Sequence, residues 1–320
     1  MLMLGLTCAV FVPLMAAGQV LGHPVRGSVS PFGVSVAVGA FLFGVGMQLG
    51  GGCASGTLYT AGGGDIRMLV TLAAFIAGSV LGVRHMPVWE QAPSLGSLSL
   101  MSSFGAPGAL VASLVLFGAV GMLSWNVERR RHGRDAEFVL FRRSRLSRGR
   151  DAWLRGPWPL VAGAVGLALV NIATLTLSGR PWGVTSAFAL WGSKLVAATG
   201  VDVASWPYWR PAARAAELRA GVLNDVTTVM DFGILLGALT ASGLAGRFAP
   251  SWRVPLRSLA AAVVGGLLLG YGARIAYGCN IGAYFSGIAS TSLHGWLWFA
   301  AAFAGNAVGA RLRPYCGLRV

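Results

Sequence analysis

Gly44-Val45-Gly46-Met47-Gln48-Leu49-Gly50-Gly51-Gly52-Cys53-Ala54-Ser55-Gly56 returns 226 positions later as Gly270-Tyr271-Gly272-Ala273-Arg274-Ile275-Ala276-Tyr277-Gly278-Cys279-Asn280-Ile281-Gly282. Upstream, Gly39 matches Gly265 and Pro24 matches Pro250. Past the cysteine, one inserted residue restores the register. Ala77-Gly78, Gly82, Arg84 and Pro87 then fall on Ala304-Gly305, Gly309, Arg311 and Pro314. A self-match of this length is an internal repeat. Each copy is a long apolar run, a Gly-rich interruption with one cysteine, a short segment and a second apolar run.

Those runs lie in a chain of 320 residues that is 55% apolar and only 11% charged. A soluble domain carries about 25% charged residues. So little charge cannot cover a water-facing surface, which excludes soluble, disordered and disulfide-scaffold proteins and leaves a polytopic membrane protein. Apolar windows fall near 3–22, 32–50, 67–85, 106–126, 158–178, 224–247, 256–277 and 293–312, with a weaker one near 183–200. They predict an all-α fold of eight or nine transmembrane helices. The first window lacks a basic leader, so it reads as a membrane helix and not as a cleaved signal peptide. Frequent glycine in most windows is the composition of closely packed membrane helices.

The net charge is +15, and ten arginines crowd into 128–156. An Arg-rich stretch between apolar segments is the mark of a cytoplasmic loop, not of a nucleic-acid-binding face. Residues 86–105 contain one acid, Glu90, and neither Lys nor Arg, which suits the outer side. Arg311, Arg313 and Arg319 put the C-terminus with the loop in the cytoplasm. Pro87 then lies outside and Pro314 inside, so equivalent elements run in opposite directions. This is an inverted, pseudo-symmetric repeat of the secondary-transporter kind. The organisation is a first repeat over 1–127, a basic cytoplasmic loop over 128–156 and a second repeat over 157–320. The second copy opens with a full helix and Ser178–Phe188, whose partners would precede residue 1. The repeat therefore predicts that this chain lacks about 70 N-terminal residues of a full transporter, through a late start codon, truncation or real loss.

Chemistry concentrates at the two interruptions. A broken membrane helix is tolerated where it is buried in protein or lines a cavity. A short helix starting at each cysteine would turn its N–H groups and positive dipole end toward the break, and two facing breaks would make an anion site. Cysteine adds a polarisable sulfur and an S–H donor, suited to an anion that itself offers sulfur. The candidate substrate-binding residues are Cys53, Cys279, Gly52, Gly278, Gly56, Gly282, Asn280, Ser55 and Arg274. Arg274 lies in an apolar span five residues before Cys279, opposite Gln48 in the repeat, and reads equally as a site residue or a snorkelling side chain. Asp231 reads first as a cap or solvated acid and second as a proton carrier. Trp182, Trp191, Trp206 and Trp209 read as interfacial belts, and His294 as facing the interface or a neighbour. Cys8 and Cys316 have no repeat partner. No C-x-x-C pair and no Gly-Lys-Ser/Thr occurs: Lys194, the sole lysine, follows Ser193. Zinc-ribbon, thioredoxin and Walker A chemistry therefore lack their signatures, and no cofactor or metal is called for.

At Gly50–Tyr59, Gly272–Gly282 and Arg180-Pro181-Trp182-Gly183-Val184-Thr185-Ser186 the chain resembles the YeeE/YedE family of sulfur-compound transporters, the sulphur-transport domain proteins. The resemblance covers most of the chain outside 128–156. It implies an all-helical bacterial inner-membrane protein with short helices meeting at a central constriction. It implies thiosulfate uptake relayed by S–H···S contacts, with Cys53 and Cys279 as relay residues and a soluble carrier of the TusA/SirA type at the cytoplasmic side. The chain departs from the family where a third pore cysteine is found near the N-terminus. The corresponding second-half segment here has Thr185 and Ser186, and other small sulfur species stay open as substrates.

Transport by a non-enzyme leads three alternatives. A membrane sulfurtransferase or thiol-redox protein would need a base or redox partner beside Cys53 or Cys279, and the sequence pairs neither with one. A scaffold recruiting a partner through the basic loop would do without transport. A Cu(I) transporter would ask for more soft ligands than two lone cysteines.

Overall fold

In the computed structural model, residues 1–132, 158–248, 250 and 254–318 are described. The basic-loop reading falls largely outside them, as does Arg319. Of the proposed loop, Glu128–His132 continues a helix. Among the described residues, each of the nine apolar windows is helical. The helices are α1 (Leu2–Ala17), α2 (Val34–Gly50), α3 (Ala54–Gly62), α4 (Ile66–Glu90), α5 (Leu100–His132, two helices joined across a kink at Gly105) and α6 (Leu160–Ser178). There follow α7 (Thr185–Ala198), α8 (Ala212–Arg219), α9 (Val226–Leu244), α10 (Leu256–Ile275) and α11 (His294–Leu312). Six spans among these are long and apolar enough to cross a membrane, with α2 and α3 counted as one, and Leu2–Ala17 is a shorter apolar helix. The protein is an all-α, multi-pass membrane protein.

The chain falls into two compact units. One comprises Met1–Val29, Ser97–Trp182 and Phe285–Leu293. Its apolar centre gathers Phe11, Val25, Leu175 and Ala289. A buried polar knot ties it: Asn171 Nδ2 donates to Ser286 Oγ at 3.1 Å, Ser286 Oγ donates to the Trp182 carbonyl at 2.7 Å, and Trp182 N donates to Asn171 Oδ1 at 2.9 Å. The Asn171 amide, the Ser286 hydroxyl and the Trp182 backbone satisfy one another there, while Trp182 Nε1 is buried without a hydrogen-bond partner.

The other unit comprises Ser30–Gly96, Gly183–Tyr284 and His294–Val320. Its frame is α2, α4, α10 and α11, and their packing carries the repeat into three dimensions. A Cβ on Gly39 would fall 2.7 Å from the Gly272 carbonyl oxygen, and one on Gly46 2.9 Å from that of Gly265. The partners are swapped across the 226 offset, as a two-fold axis between α2 and α10 requires, and the order of contacts makes the two helices antiparallel. Gly44 lies on Ala302 O and Asn306 N, while Gly270 lies on Phe75 O and Ser79 N. Gly78 meets the Leu267 backbone and Gly305 that of Phe41. Gly82 meets the Arg274 side chain and Gly309 that of Gln48. Every pair is related by the sequence repeat, so equivalent helices run in opposite directions about one axis. Without a hydrophobic drive between helices in lipid, close backbone approach at small residues supplies the packing.

Candidate functional site

Both interruptions are built at the ends of the axial helices. α2 stops at Gly50 because Gly51 takes a left-handed turn (φ 94°), its N–H donating to Met47 O at 3.0 Å. The equivalent residue after α10 is Tyr277, also left-handed at φ 59°, followed by Gly278 at φ 151°. A side chain at such a φ is uncommon and stores strain, which collects at functional positions. At Gly278 a Cβ would also strike the Ala283 amide at 2.7 Å, so glycine is required there.

Side chains from the following helix hold each break open. Thr71 Oγ1 donates to Gly50 O at 3.1 Å, and Trp298 Nε1, at the equivalent position, donates to Gly278 O at 3.2 Å. Arg67 adds Nη1 to Gly50 O at 3.0 Å, Nη2 to Leu49 O at 2.5 Å and Nε to Ser258 Oγ at 2.8 Å. At the second break, Ser35 Oγ from the start of α2 donates to Ile275 O at 2.5 Å. Arg67 was not among the residues singled out from sequence. Its clue was the repeat, which aligns it with buried His294 at the start of α11. Arg67→Ala leaves Leu49 O without its side-chain donor and Gly50 O with Thr71 alone, and is expected to cost about 3 kcal/mol. Arg67→Lys, lacking the planar fork, should recover less than half of the loss. Unfolding of the detergent-purified protein checks both.

The first break opens into α3 as expected. Cys53 is its N-cap, with Sγ accepting from the Gly56 N–H at 3.4 Å and lying 3.5 Å from Ser55 Oγ. The second opens into a π-helix, Asn280–Ser286, where an ordinary short α-helix was expected. The N–H groups of Ala283 and Tyr284 both reach Cys279 O, at 2.9 and 3.3 Å, which widens the turn. Single π turns recur at functional sites. Cys279 Sγ faces the N–H groups of Ile281 and Gly282. The glycine three residues after each cysteine thus gives its N–H to that sulfur. At the first break the thiol takes up this one N–H of those expected to face an anion, that of Gly56. A sulfur that accepts from the backbone keeps its own S–H free to donate outward, and the incoming bond polarises it.

Cys279 has no exposed surface, and half-buried Cys53 packs against the same apolar cluster, which includes Phe43, Phe75, Phe188 and Trp298. Gly52 sits in the first break with room around it, since an added Cβ would meet nothing closer than 3.5 Å. A Cβ on Gly56 would touch Cys53 Sγ at 3.4 Å, and one on Gly282 would come within 4.0 Å of Gly183. Asn280, half-buried beside Cys279, keeps a buried Oδ1 with no hydrogen-bond partner. Arg274 lies just above the second break with its guanidinium carbon 5.3 Å from the Tyr208 ring centre, and its Nε and Nη1 are buried without partners. Arg214 stacks on the same ring at 4.2 Å, and Arg84 sits 5.7 Å from the Trp206 ring. At the far end of α3, a pocket of about 430 Å³ is lined by Tyr59, Thr60, Arg67, Arg247 and Ser258, among others. Cys8 is buried on α1 in the other unit, and Cys316 lies in a turn after α11.

The sequence profile of the sulphur transport family matches residues 1–308. The chain belongs to that family. Among sulphur transport proteins, the thiosulfate transporter TsuA of Spirochaeta thermophila is 31% identical over 270 residues, covering 81% of this chain and 72% of its own. The probable transporter YedE of Escherichia coli is 30% identical over 165 residues, 51% of this chain and 39% of its own, and its Salmonella typhimurium counterpart is 29% identical over 164 residues. The chain therefore spans about two fifths of the length of those YedE relatives.

Two readings of single residues are overturned. Trp182 and Trp209 are buried. Trp191 stacks on Phe232 and donates to Thr228 Oγ1 at 2.9 Å. Trp206 packs into a core cluster beside Trp209. Trp182 and Trp209 therefore fill space inside the protein, and Trp191 and Trp206 pack at least partly against protein neighbours. Asp231, read first as a cap or solvated acid, is neither. Asp225 caps α9, accepting from Thr228 N at 2.8 Å and Thr228 Oγ1 at 2.9 Å, and Asp231 is fully buried.

Proposed function

We propose that the protein takes up thiosulfate across the bacterial inner membrane as a transporter and not as an enzyme. The observation that carries this is the pairing of the two Gly-Cys breaks about the two-fold axis, with both sulfurs against one core cluster. A dianion entering an apolar bundle needs donors at each step. The Arg274 guanidinium, with two unpartnered nitrogens, offers the first. Cys279 and Cys53 offer S–H groups to the terminal sulfur, with Asn280 and Ser55 beside them. The breaks let the anion pass without crossing an intact helix. Residues 1–127 and 157–320 act as the two repeats. The loop at 128–156 and the C-terminus face the cytoplasm, where a soluble TusA/SirA-like sulfur carrier is the partner.

Cells lacking other sulfur importers should accumulate labelled thiosulfate when they express this chain and not when they carry empty vector. Equal accumulation in both overturns the reading. Release of a persulfide-labelled protein instead of intact internal thiosulfate would favour a membrane sulfurtransferase.

A further inference from the structure

Asp231 sits in the second turn of α9 with no exposed surface, and neither of its carboxylate oxygens has a hydrogen-bond partner. An ionised carboxylate without water or donors is among the costliest groups a membrane helix can hold, and such a residue marks a pathway or a proton relay. Its surroundings narrow the choice. Asp225, on its own helix, is spent as the cap. From α7 comes Lys194, whose ammonium is held by the carbonyls of Leu218 and Ala220, both at 2.7 Å. From α3 come Tyr59, with an exposed ring, and Cys53 at the N-cap. From the second break comes Cys279, in the apolar cluster against which Ile234 and Leu235, one turn after Asp231 on α9, also pack.

We propose that Asp231 binds the proton that accompanies the transported anion, making the protein a proton-coupled symporter. The proposal rests on the thiosulfate reading of the same pathway. A negative Asp231 repels a dianion at Cys279, whereas the neutral acid does not. Proton binding and anion binding therefore favour one another, and by linkage the effect is reciprocal. One proton enters from the outer water and stays on Asp231 while the anion occupies the thiols. It leaves to the inner water when the anion does. One net negative charge crosses instead of two, halving the opposition of an inside-negative membrane.

The test uses the full chain in proteoliposomes with labelled thiosulfate. Making the outside more acid than the inside should speed wild-type net uptake several-fold. Asp231→Asn, neutral and nearly isosteric, should keep thiosulfate exchange at equal pH on both sides and lose that acceleration. Asp231→Glu should retain part of it. An Asp231→Asn protein that responds to the gradient like wild type overturns the proposal, as does a wild type indifferent to the gradient, and in both cases thiosulfate exchange still stands. A wild type that neither imports nor exchanges thiosulfate overturns the substrate reading and the symport with it. If Asp231→Asn does not fold, infrared spectroscopy of the wild type decides. A protonated-carboxyl stretch near neutral pH that shifts when thiosulfate is added supports coupling, and its absence overturns it.

Discussion

Serine at position 53 or at position 279 is expected to lower thiosulfate uptake about tenfold or more at matched membrane expression, equivalent to about 1.4 kcal/mol of lost stabilisation along the path. Serine keeps the size and a donor, so the loss measures sulfur itself. The hydroxyl is a harder partner for the terminal sulfur of thiosulfate than the polarisable thiol. Cys279→Ser should be the more damaging change, because Cys279 is fully buried and set in the widened π turn, whereas Cys53 is half-exposed and already beside Ser55. Cys8→Ser and Cys316→Ser, outside this cluster, are the controls. Uptake unchanged by both pathway substitutions would falsify the relay and leave Cys53 and Cys279 as packing residues.

The repeat explains why so much of this arrangement could be read from residues alone. Matching Gly44 with Gly270 and Cys53 with Cys279 needs only the alphabet, and a two-fold axis follows once the charge pattern reverses one copy. What the repeat could not supply were contacts whose partners are distant in sequence and different in kind. Arg67 reaches Ser258, 191 residues away, and its counterpart in the other copy is a histidine. Tyr277 stands where Gly51 makes the same left-handed turn, so no glycine announced it. The π-helix after Cys279 reflects the inserted residue in the second copy, visible as a gap in register but not as a change of helix type. Asp231 misled for a simpler reason. An acid near a helix start is usually a cap, yet Asp225, six residues earlier, had already filled that role. The tryptophans misled by composition: in lipid the ring marks the interface on average, but here Trp209 Nε1 finds Ser193 Oγ at 3.1 Å inside the protein.

Alanine at Gly44 and alanine at Gly270 should damage folding to the same extent, and severely. Each added methyl would fall on the backbone of the neighbouring helix, Ala302–Asn306 in one copy and Phe75–Ser79 in the other. Backbone cannot rotate away as a side chain can, so the helices must part along their whole seam. Forced overpacking of this kind costs about 3 kcal/mol or more, and in a bilayer the lost packing is the main force between the helices. The matched controls are Gly118 and Gly121 on α5 and Gly163 and Gly166 on α6, where a Cβ meets nothing within 4 Å. Alanine there should be neutral or stabilising by up to about 1 kcal/mol, since it restricts the unfolded chain without a clash. Thermal unfolding of detergent-purified variants, read by the loss of monodisperse protein, separates the two groups. The comparison within the first pair is the more demanding one. A two-fold axis makes the two seams equivalent, so Gly44→Ala and Gly270→Ala must fall together. If one is tolerated while the other abolishes folding, α2·α11 and α4·α10 are not equivalent seams, and the paired-break pathway built on that symmetry loses its basis.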